Sequence, residues 1–228
     1  MKTETRVVVK SIEANDAKPW LLEKHYAKRL CPISHAFGAF VDNQLFGVVT
    51  YGCPSSAPLR EGVCGKEWAG NVLELNRLCC QSIKNLASTL VGRSLAMLPK
   101  PSVVVSYADT AQGHVGYIYQ ATNFIYTGLS AKRTDWKIKG MEHLHGQTIA
   151  DMSKGAENRA DFMREKFGDD FYLDERPRKH RYIFFVGDKR QVRAMRAALK
   201  YPIEPYPKGE SKRYDASAQI NNQGFLSL

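Results

Sequence analysis

The run Ser102-Val103-Val104-Val105-Ser106-Tyr107-Ala108 ends on Asp109, and chemistry is first expected there. A short apolar run entered from Pro101 reads as a buried strand. Open sheets bind ligands at the carboxyl ends of their strands, so an aspartate at that end can take a proton or orient an amine. A purely structural reading competes: Asp109 caps the helix that begins near Gly113. His25 and Tyr26 form a second candidate pair. The imidazole titrates near neutral pH and can serve as base or proton shuttle, with the phenol hydrogen-bonding a substrate. An amphipathic helix with an aromatic core residue and a boundary histidine accounts for the same pair. Tyr119 recurs with Val115, Ile118 and Thr122 at helical spacing, so core packing and a hydroxyl aimed into a cleft both remain open. Ser88 reads either as a phosphate or acyl-donor contact or as an ordinary first-turn serine, and Tyr51 stands where it can line the same cleft.

The elements that position these residues follow from periodicity and punctuation. Thr5–Ile12 alternates as a strand, and Asn15 or Asp16 is placed to cap a helix carrying Trp20, Leu21, Leu22, His25, Tyr26 and Leu30 on one side. His35–Val41 and Leu45–Tyr51 flank the turn Asp42-Asn43-Gln44, a hairpin signal. Pro54–Gly70 reads as a long functional loop. Leu73–Leu78, a helix over Asn85–Leu98 and the strand ending on Asp109 form a parallel crossover. A helix bearing Tyr119 and the strand Ile125–Leu129 follow. Ser130–Pro177 is polar and helical, with candidates at Gly146–Met152 and Ala156–Phe167. Arg181–Val186 returns to strand, and a basic helix over Lys189–Lys200 precedes a Pro-rich tail. The expected architecture is α/β: a mixed central sheet with helices on both faces. A catalytic core spans residues 1–130, a helical insertion 131–178, and the closing strand, basic helix and tail 179–228.

Composition narrows the partners. With 228 residues, 43% apolar and 25% charged, the chain is that of a soluble globular protein. No apolar run approaches the roughly 20 residues of a membrane helix, and Met1–Arg6 lacks the apolar core of a secretory signal, so no membrane partner is expected. Five cysteines, including the neighbours Cys79-Cys80, read as reduced thiols in a cytoplasmic setting. On an alternating strand that pair points to opposite faces, so at most one is expected to be buried. The net charge is +10, and Arg176 to Lys200 holds nine Lys or Arg against the single acid Asp188. Arg176, Arg178, Lys179, Arg181, Lys189, Arg190, Arg193 and Arg196 are therefore expected to hold nucleic-acid phosphates. A solvated face that aids solubility is the plainer alternative. His25, Cys31 and His35, and His143 with His145, lack the spacing of a structural zinc site.

The element order, and the aromatic residue Phe124 five positions after Tyr119, resemble the GNAT-type acyltransferases. A closer resemblance lies in Lys24-His25-Tyr26-Ala27, Glu74-Leu75-Asn76-Arg77-Leu78-Cys79, Asn85-Leu86-Ala87-Ser88, Ser106-Tyr107-Ala108-Asp109 and Gly113-His114-Val115-Gly116-Tyr117-Ile118-Tyr119-Gln120-Ala121. Together, and more weakly through Lys179-His180-Arg181-Tyr182, these resemble the Mom DNA-modification proteins of Mu-like bacteriophages. That resemblance implies a divergent GNAT fold. It also implies transfer of an acetamide-type (carbamoylmethyl) group to the exocyclic amine of adenine in double-stranded DNA, protecting phage DNA from host restriction. It further implies that Asp109, His25, Tyr26 and Tyr119 act catalytically, with Tyr119 protonating the leaving group.

The same resemblance places Asn76, Arg77, Lys84, Asn85 and Ser88 on the side of the acyl donor, acetyl-CoA or another acyl carrier, and allows iron held by His25, Tyr26 and Asp109. One departure is visible: Gln81–Ser88, where such enzymes carry a glycine-rich pyrophosphate loop, has no glycine before Gly92. Flipping of the adenine is expected, with Pro54–Gly70 and Ser130–Pro177 as the candidate wedges. The oligomeric state is open, a dimer among the options. Two other functions compete: an ordinary N-acyltransferase acting on a protein or small amine, and a non-catalytic DNA-binding protein on this scaffold.

Overall fold

The computed structural model describes residues 6–144 and 146–209; Thr5, His145 and the tail beyond Gly209, on which some expectations fall, lie outside them. Seven strands form one mixed sheet in the order β1-β2-β3-β4-β5-β9-β6. They are β1 (Val8–Ser11), β2 (His35–Val41), β3 (Gln44–Gly52), β4 (Val72–Cys80), β5 (Ser102–Asp109), β6 (Ile125–Leu129) and β9 (Lys179–Val186). Among the described residues only β4 and β5 run parallel, through the crossover helix α3 (Leu86–Met97); β9 slots between β5 and β6, antiparallel to both. Helices cover both faces. Leu86, Leu90, Val91 and Leu95 of α3 pack with Leu75, Val104, Phe124 and Tyr182 on one. Val63 of α2 (Ala57–Cys64) and Met195 of α7 (Lys189–Ala197) pack with Val103, Val105 and Ile183 on the other. The expected α/β architecture is thus observed.

Four local readings are corrected. Helix α1 (Ala14–Pro19) starts earlier than expected, at Glu13, whose N–H donates to Asp16 (3.3 Å). It ends in one wide turn, Trp20–Lys24, where the His25 N–H reaches the Trp20 carbonyl (3.0 Å). Pro19 has no N–H to keep the α pattern there, and His25 turns extended (ψ 135°). His25, Tyr26 and Leu30 therefore lie on a loop beyond the helix rather than on its face. The segment Pro54–Gly70 is mostly ordered as α2, capped by Ser56 accepting the Leu59 N–H (3.3 Å), and a 3-10 turn over Lys66–Asn71. The insertion is not purely helical: β7 (Arg133–Ile138) pairs antiparallel with β8 (Phe171–Arg176) beside α5 (Gly146–Asp151) and α6 (Arg159–Phe167). Ile138, Ile149 and Met163 give it a core of its own. Finally, Cys79 and Cys80 are both buried, because β4 is central and covered on both sides.

Candidate active site

The cleft exists because the one parallel pair parts. Pairing of β4 with β5 stops at Leu75 and Ser106, although the strands continue to Cys80 and Asp109. Two β4 carbonyls freed by the parting are taken by side chains: Ser106 Oγ donates to Leu75 O (3.1 Å), and Arg77 Nη1 to Asn76 O (2.7 Å). Beyond that point lies a cavity of about 170 Å³ lined by His25, Tyr26, Asn76, Arg77, Tyr107, Asp109, His114, Tyr117 and Tyr119 among others. Its far wall is the turn after β5 and helix α4 (Tyr117–Ala121). Gly116 makes that wall possible. Its φ is +81°, and a Cβ would sit 2.5 Å from the Tyr182 ring, whose hydroxyl donates to Val115 O.

All four expected catalytic residues meet in this cleft. Asp109 both caps and faces the cavity. Its carboxylate accepts the Ala111 N–H (3.1 Å) and pairs with Lys179 Nζ (3.0 Å), which holds it in place. His25, 7% exposed, accepts the Ala27 N–H at Nδ1 (3.1 Å). That bond requires a lone pair on Nδ1, so the neutral ring carries its proton on Nε2. Burial first, then the positive charge of Arg77 and the neighbouring His114, push its pKa down to about 4. At neutral pH the ring is thus uncharged, with Nδ1 engaged and an N–H at Nε2. Burial and then Asp109 raise the pKa of Tyr26, which stacks on His25 at 4.5 Å. Burial likewise pushes Tyr119 up to about 12, against a hydrogen bond shared with Ser106. The Tyr119 ring packs 5.2 Å from Tyr182 and 5.3 Å from Phe124, so core packing and a place in the cleft coincide.

The expected donor side is only partly assembled. Arg77 lines the cleft, and its Nε has no hydrogen-bond partner. Asn76 also lines it, but its amide is spent on the fold: Oδ1 accepts from Thr50 (2.7 Å) and Cys31 (3.3 Å), and Nδ2 donates to Pro32 O (2.8 Å). Lys84, Asn85 and Ser88 are not among the lining residues. The Gln81–Leu86 turn folds on itself instead, with Gln81 N–H on Phe46 O, Ile83 N–H on Gln81 O and Leu86 N–H on Ile83 O. Ser88 Oγ donates back to Asn85 O (3.1 Å), the ordinary first-turn role. The Leu86 N–H is thus engaged and no glycine opens the turn, so Gln81–Ser88 does not form the glycine-rich pyrophosphate loop of such enzymes. Tyr51 does not line the cleft either; it is fully buried and bonded to Ser94 (2.7 Å).

Iron is not supported as a fit. Asp109 is committed to Lys179, Tyr26 is held as a protonated phenol, and His25 has one nitrogen engaged. No group of three His, Cys, Asp or Glu suited to a metal occurs among the described residues. His114, Tyr107 and Tyr117 were missed as cleft residues, although all three lie in the runs Ser106–Asp109 and Gly113–Ala121.

The eight expected phosphate contacts divide in two. Arg181 is buried, donating to Thr127 Oγ1 (2.9 Å) and Thr127 O (2.7 Å), with its guanidinium 3.4 Å from the Tyr201 ring centre. Arg178 donates to Ser130 O (2.6 Å) and Leu129 O, Arg176 pairs with Asp135 (3.7 Å), and Lys179 with Asp109. Arg178, Lys179 and Arg181 are tied to the fold at or beside β9, which is internal to the sheet, whereas Arg176 on β8 keeps an exposed side chain beside Asp135. Lys189, Arg190, Arg193 and Arg196 are exposed on α7, opposite its buried Met195. Among the described residues none of the four makes an ion pair.

Known proteins resemble this chain at two levels. Acetyltransferase structures overlay on it weakly. A GNAT-family acetyltransferase of Bacillus cereus is 12% identical, with 79% of this chain and 97% of that one covered and a TM-score of 0.41. A putative acetyltransferase of Acinetobacter baylyi is 13% identical, with 90% and 98% covered and a TM-score of 0.42. In sequence, the methylcarbamoylase mom of Escherichia phage Mu is 27% identical over 207 residues, covering 88% of this chain and 83% of that protein. The model of the Mom protein family matches residues 6–208, which takes in every strand and helix that builds the cleft, and the chain belongs to that family.

Proposed function

We propose that this protein is a transferase that modifies phage DNA, adding an acetamide-type (carbamoylmethyl) group to the exocyclic amine of an adenine flipped out of the duplex, and so shields that DNA from restriction. The observation that carries the reading is one aromatic-lined cleft in which Asp109, His25, Tyr26 and Tyr119 converge in a chain of the Mom family. Tyrosine and histidine faces suit a purine ring, and the exposed cations of α7 suit phosphates.

Each residue has a role that its surroundings support. The lone pair of adenine's amine is delocalised, so the amine must lose a proton as the new N–C bond forms. Asp109, oriented by Lys179 and the Ala111 N–H, accepts the amine N–H and receives that proton. His25 donates from Nε2 to the carbonyl oxygen of the acetamide unit and so holds its methylene carbon against the amine. Tyr26, at the mouth, hydrogen-bonds the base as a neutral phenol. Tyr119, protonated throughout the working pH range, supplies the proton for the departing group. A donor carrying the acetamide unit on a leaving group supplies the electrophile: the amine nitrogen bonds its methylene carbon as that carbon's bond to the leaving group breaks.

The test is mass spectrometry of nucleosides from plasmid DNA of expressing cells. A heavier deoxyadenosine species is expected with the intact protein and none with Asp109→Ala. Ordinary nucleosides in both would overturn the proposal.

A further inference from the structure

The loop that follows α1 borders the cleft at both ends. It leaves from His25, where the Lys28 N–H reaches the His25 carbonyl (2.9 Å) and Lys28 takes a positive φ of 41°. It returns at Cys31 and Pro32, both tied to Asn76. Gly52 lets that return lie flat on β3, since a Cβ there would stand 2.0 Å from Pro32 O. His25 and Asn76 both line the cavity, so the stems of the loop are fixed to its wall. The tip carries Lys28 and Arg29, both exposed, and Leu30, 50% exposed; Tyr26, 49% exposed, faces the cavity beside them. Neither Lys28 nor Arg29 makes an ion pair among the described residues.

We propose that Lys28-Arg29-Leu30 is the wedge that opens duplex DNA at the cleft, with Leu30 entering the base stack and the two cations holding the flanking phosphates. The inference rests on the function proposed above. Enzymes that act on a base inside a duplex must unstack it, and apolar side chains inserted between base steps stabilise the opened state. Two features favour this loop over the wedges expected from sequence. Pro54–Gly70 is committed to α2, whose Val63 and Cys64 are buried under α7. The insertion carries equal numbers of acidic and basic residues between 131 and 178, which gives it no net attraction for phosphate. The Lys28–Leu30 tip combines a rigid stem, an apolar point, uncompensated positive charge and a neighbouring cavity sized for one small aromatic group.

The experiment compares binding to a matched duplex and to the same duplex with abasic sites opposite its adenines, where no pairing has to be broken. Leu30→Ala is expected to lose about tenfold or more in affinity for the matched duplex and to remain within about twofold of the unaltered protein on the abasic one. Leu30→Met, which keeps an apolar point, is expected to bind both normally. An exposed position is chosen so that folding is unaffected, checked by the thermal midpoint. Equal losses on both duplexes, or a loss on neither, overturn the wedge while leaving adenine modification standing. If the unaltered protein binds neither duplex and modifies no adenine, the proposed function falls with it.

Discussion

His25→Gln separates a donor from a base more cleanly than any other change in the cleft. Glutamine can accept the Ala27 N–H at its oxygen and present an N–H where Nε2 stood, but it cannot take up a proton. In the folded protein the imidazole is held at about 4, against an ordinary value of 6.5, by burial, Arg77 and His114. A histidine whose folded pKa is depressed gives full stability above the unfolded value and loses it as pH falls from about 6.5 through about 4, because the unfolded chain gains the proton first. Allowing for partial solvent screening, the loss amounts to about 2 kcal/mol. His114 and His180, also lowered by burial, shift stability in the same direction, so the difference between the two proteins is what isolates His25. Urea unfolding at pH 7 and pH 4 is expected to show the unaltered protein losing about 2 kcal/mol more than His25→Gln. Nitrogen-15 spectra are expected to place the imidazole proton on Nε2 at neutral pH. Adenine modification in cells is expected to survive in His25→Gln and to be lost in His25→Ala. An imidazole titrating near 6.5, or a dead glutamine variant with intact folding, would refute the donor role.

Two further changes test how the cleft is built and how charge is divided. Gly116→Ala is expected to destabilise by about 2–4 kcal/mol in urea unfolding, since a side chain at positive φ is strained and the buried Tyr182 ring cannot move aside. Replacing Lys189, Arg190, Arg193 and Arg196 with Gln is expected to leave stability within about 0.5 kcal/mol and to reduce the slope of log affinity for duplex DNA against log salt by about 3–4. Arg181→Ala should do the reverse. It strips Thr127 of two hydrogen-bonding partners and Tyr201 of its stacked cation, costing about 3 kcal/mol with no change in salt slope. A reduced slope in Arg181→Ala, with α7 neutral to binding, would invert the assignment.

What could be read from the chain depended on how local the signal was. The β2–β3 hairpin and the β4–α3–β5 crossover were legible because pattern, turn chemistry and proline stops lie within a few residues of each other. β7 and β8 were not, because their pairing, Trp136 opposite Leu173 and Ile138 opposite Phe171, joins two short segments separated by two helices. Charge misled in the same way. Arg178 and Arg181 look like neighbours of Arg190 and Arg193, but a strand lodged between β5 and β6 turns its guanidinium groups inward to backbone oxygens. The protein's own acceptors, rather than phosphate, satisfy them. Nothing in the spacing of cationic residues could separate the two sets without the order of the strands.

The cleft residues follow the same logic at finer grain. Asp109 was found because its position depends on one property, the end of a buried strand. Its dual use could not be read, since Lys179 reaches it only through the antiparallel register that sets Asp109 opposite Lys179. The pairing has a chemical consequence. A carboxylate anchored by an ammonium and a backbone N–H keeps its orientation towards an amine. That makes Lys179 a positioning residue for the proposed reaction rather than a contact for phosphate. His25 completes the division of labour, because an imidazole held neutral with its proton on Nε2 gives hydrogen bonds without competing for the amine's proton. The parted strands thus set an acceptor on the β5 side against a donor from the loop beyond α1, the polarity that joining an amine to an electrophilic carbon requires.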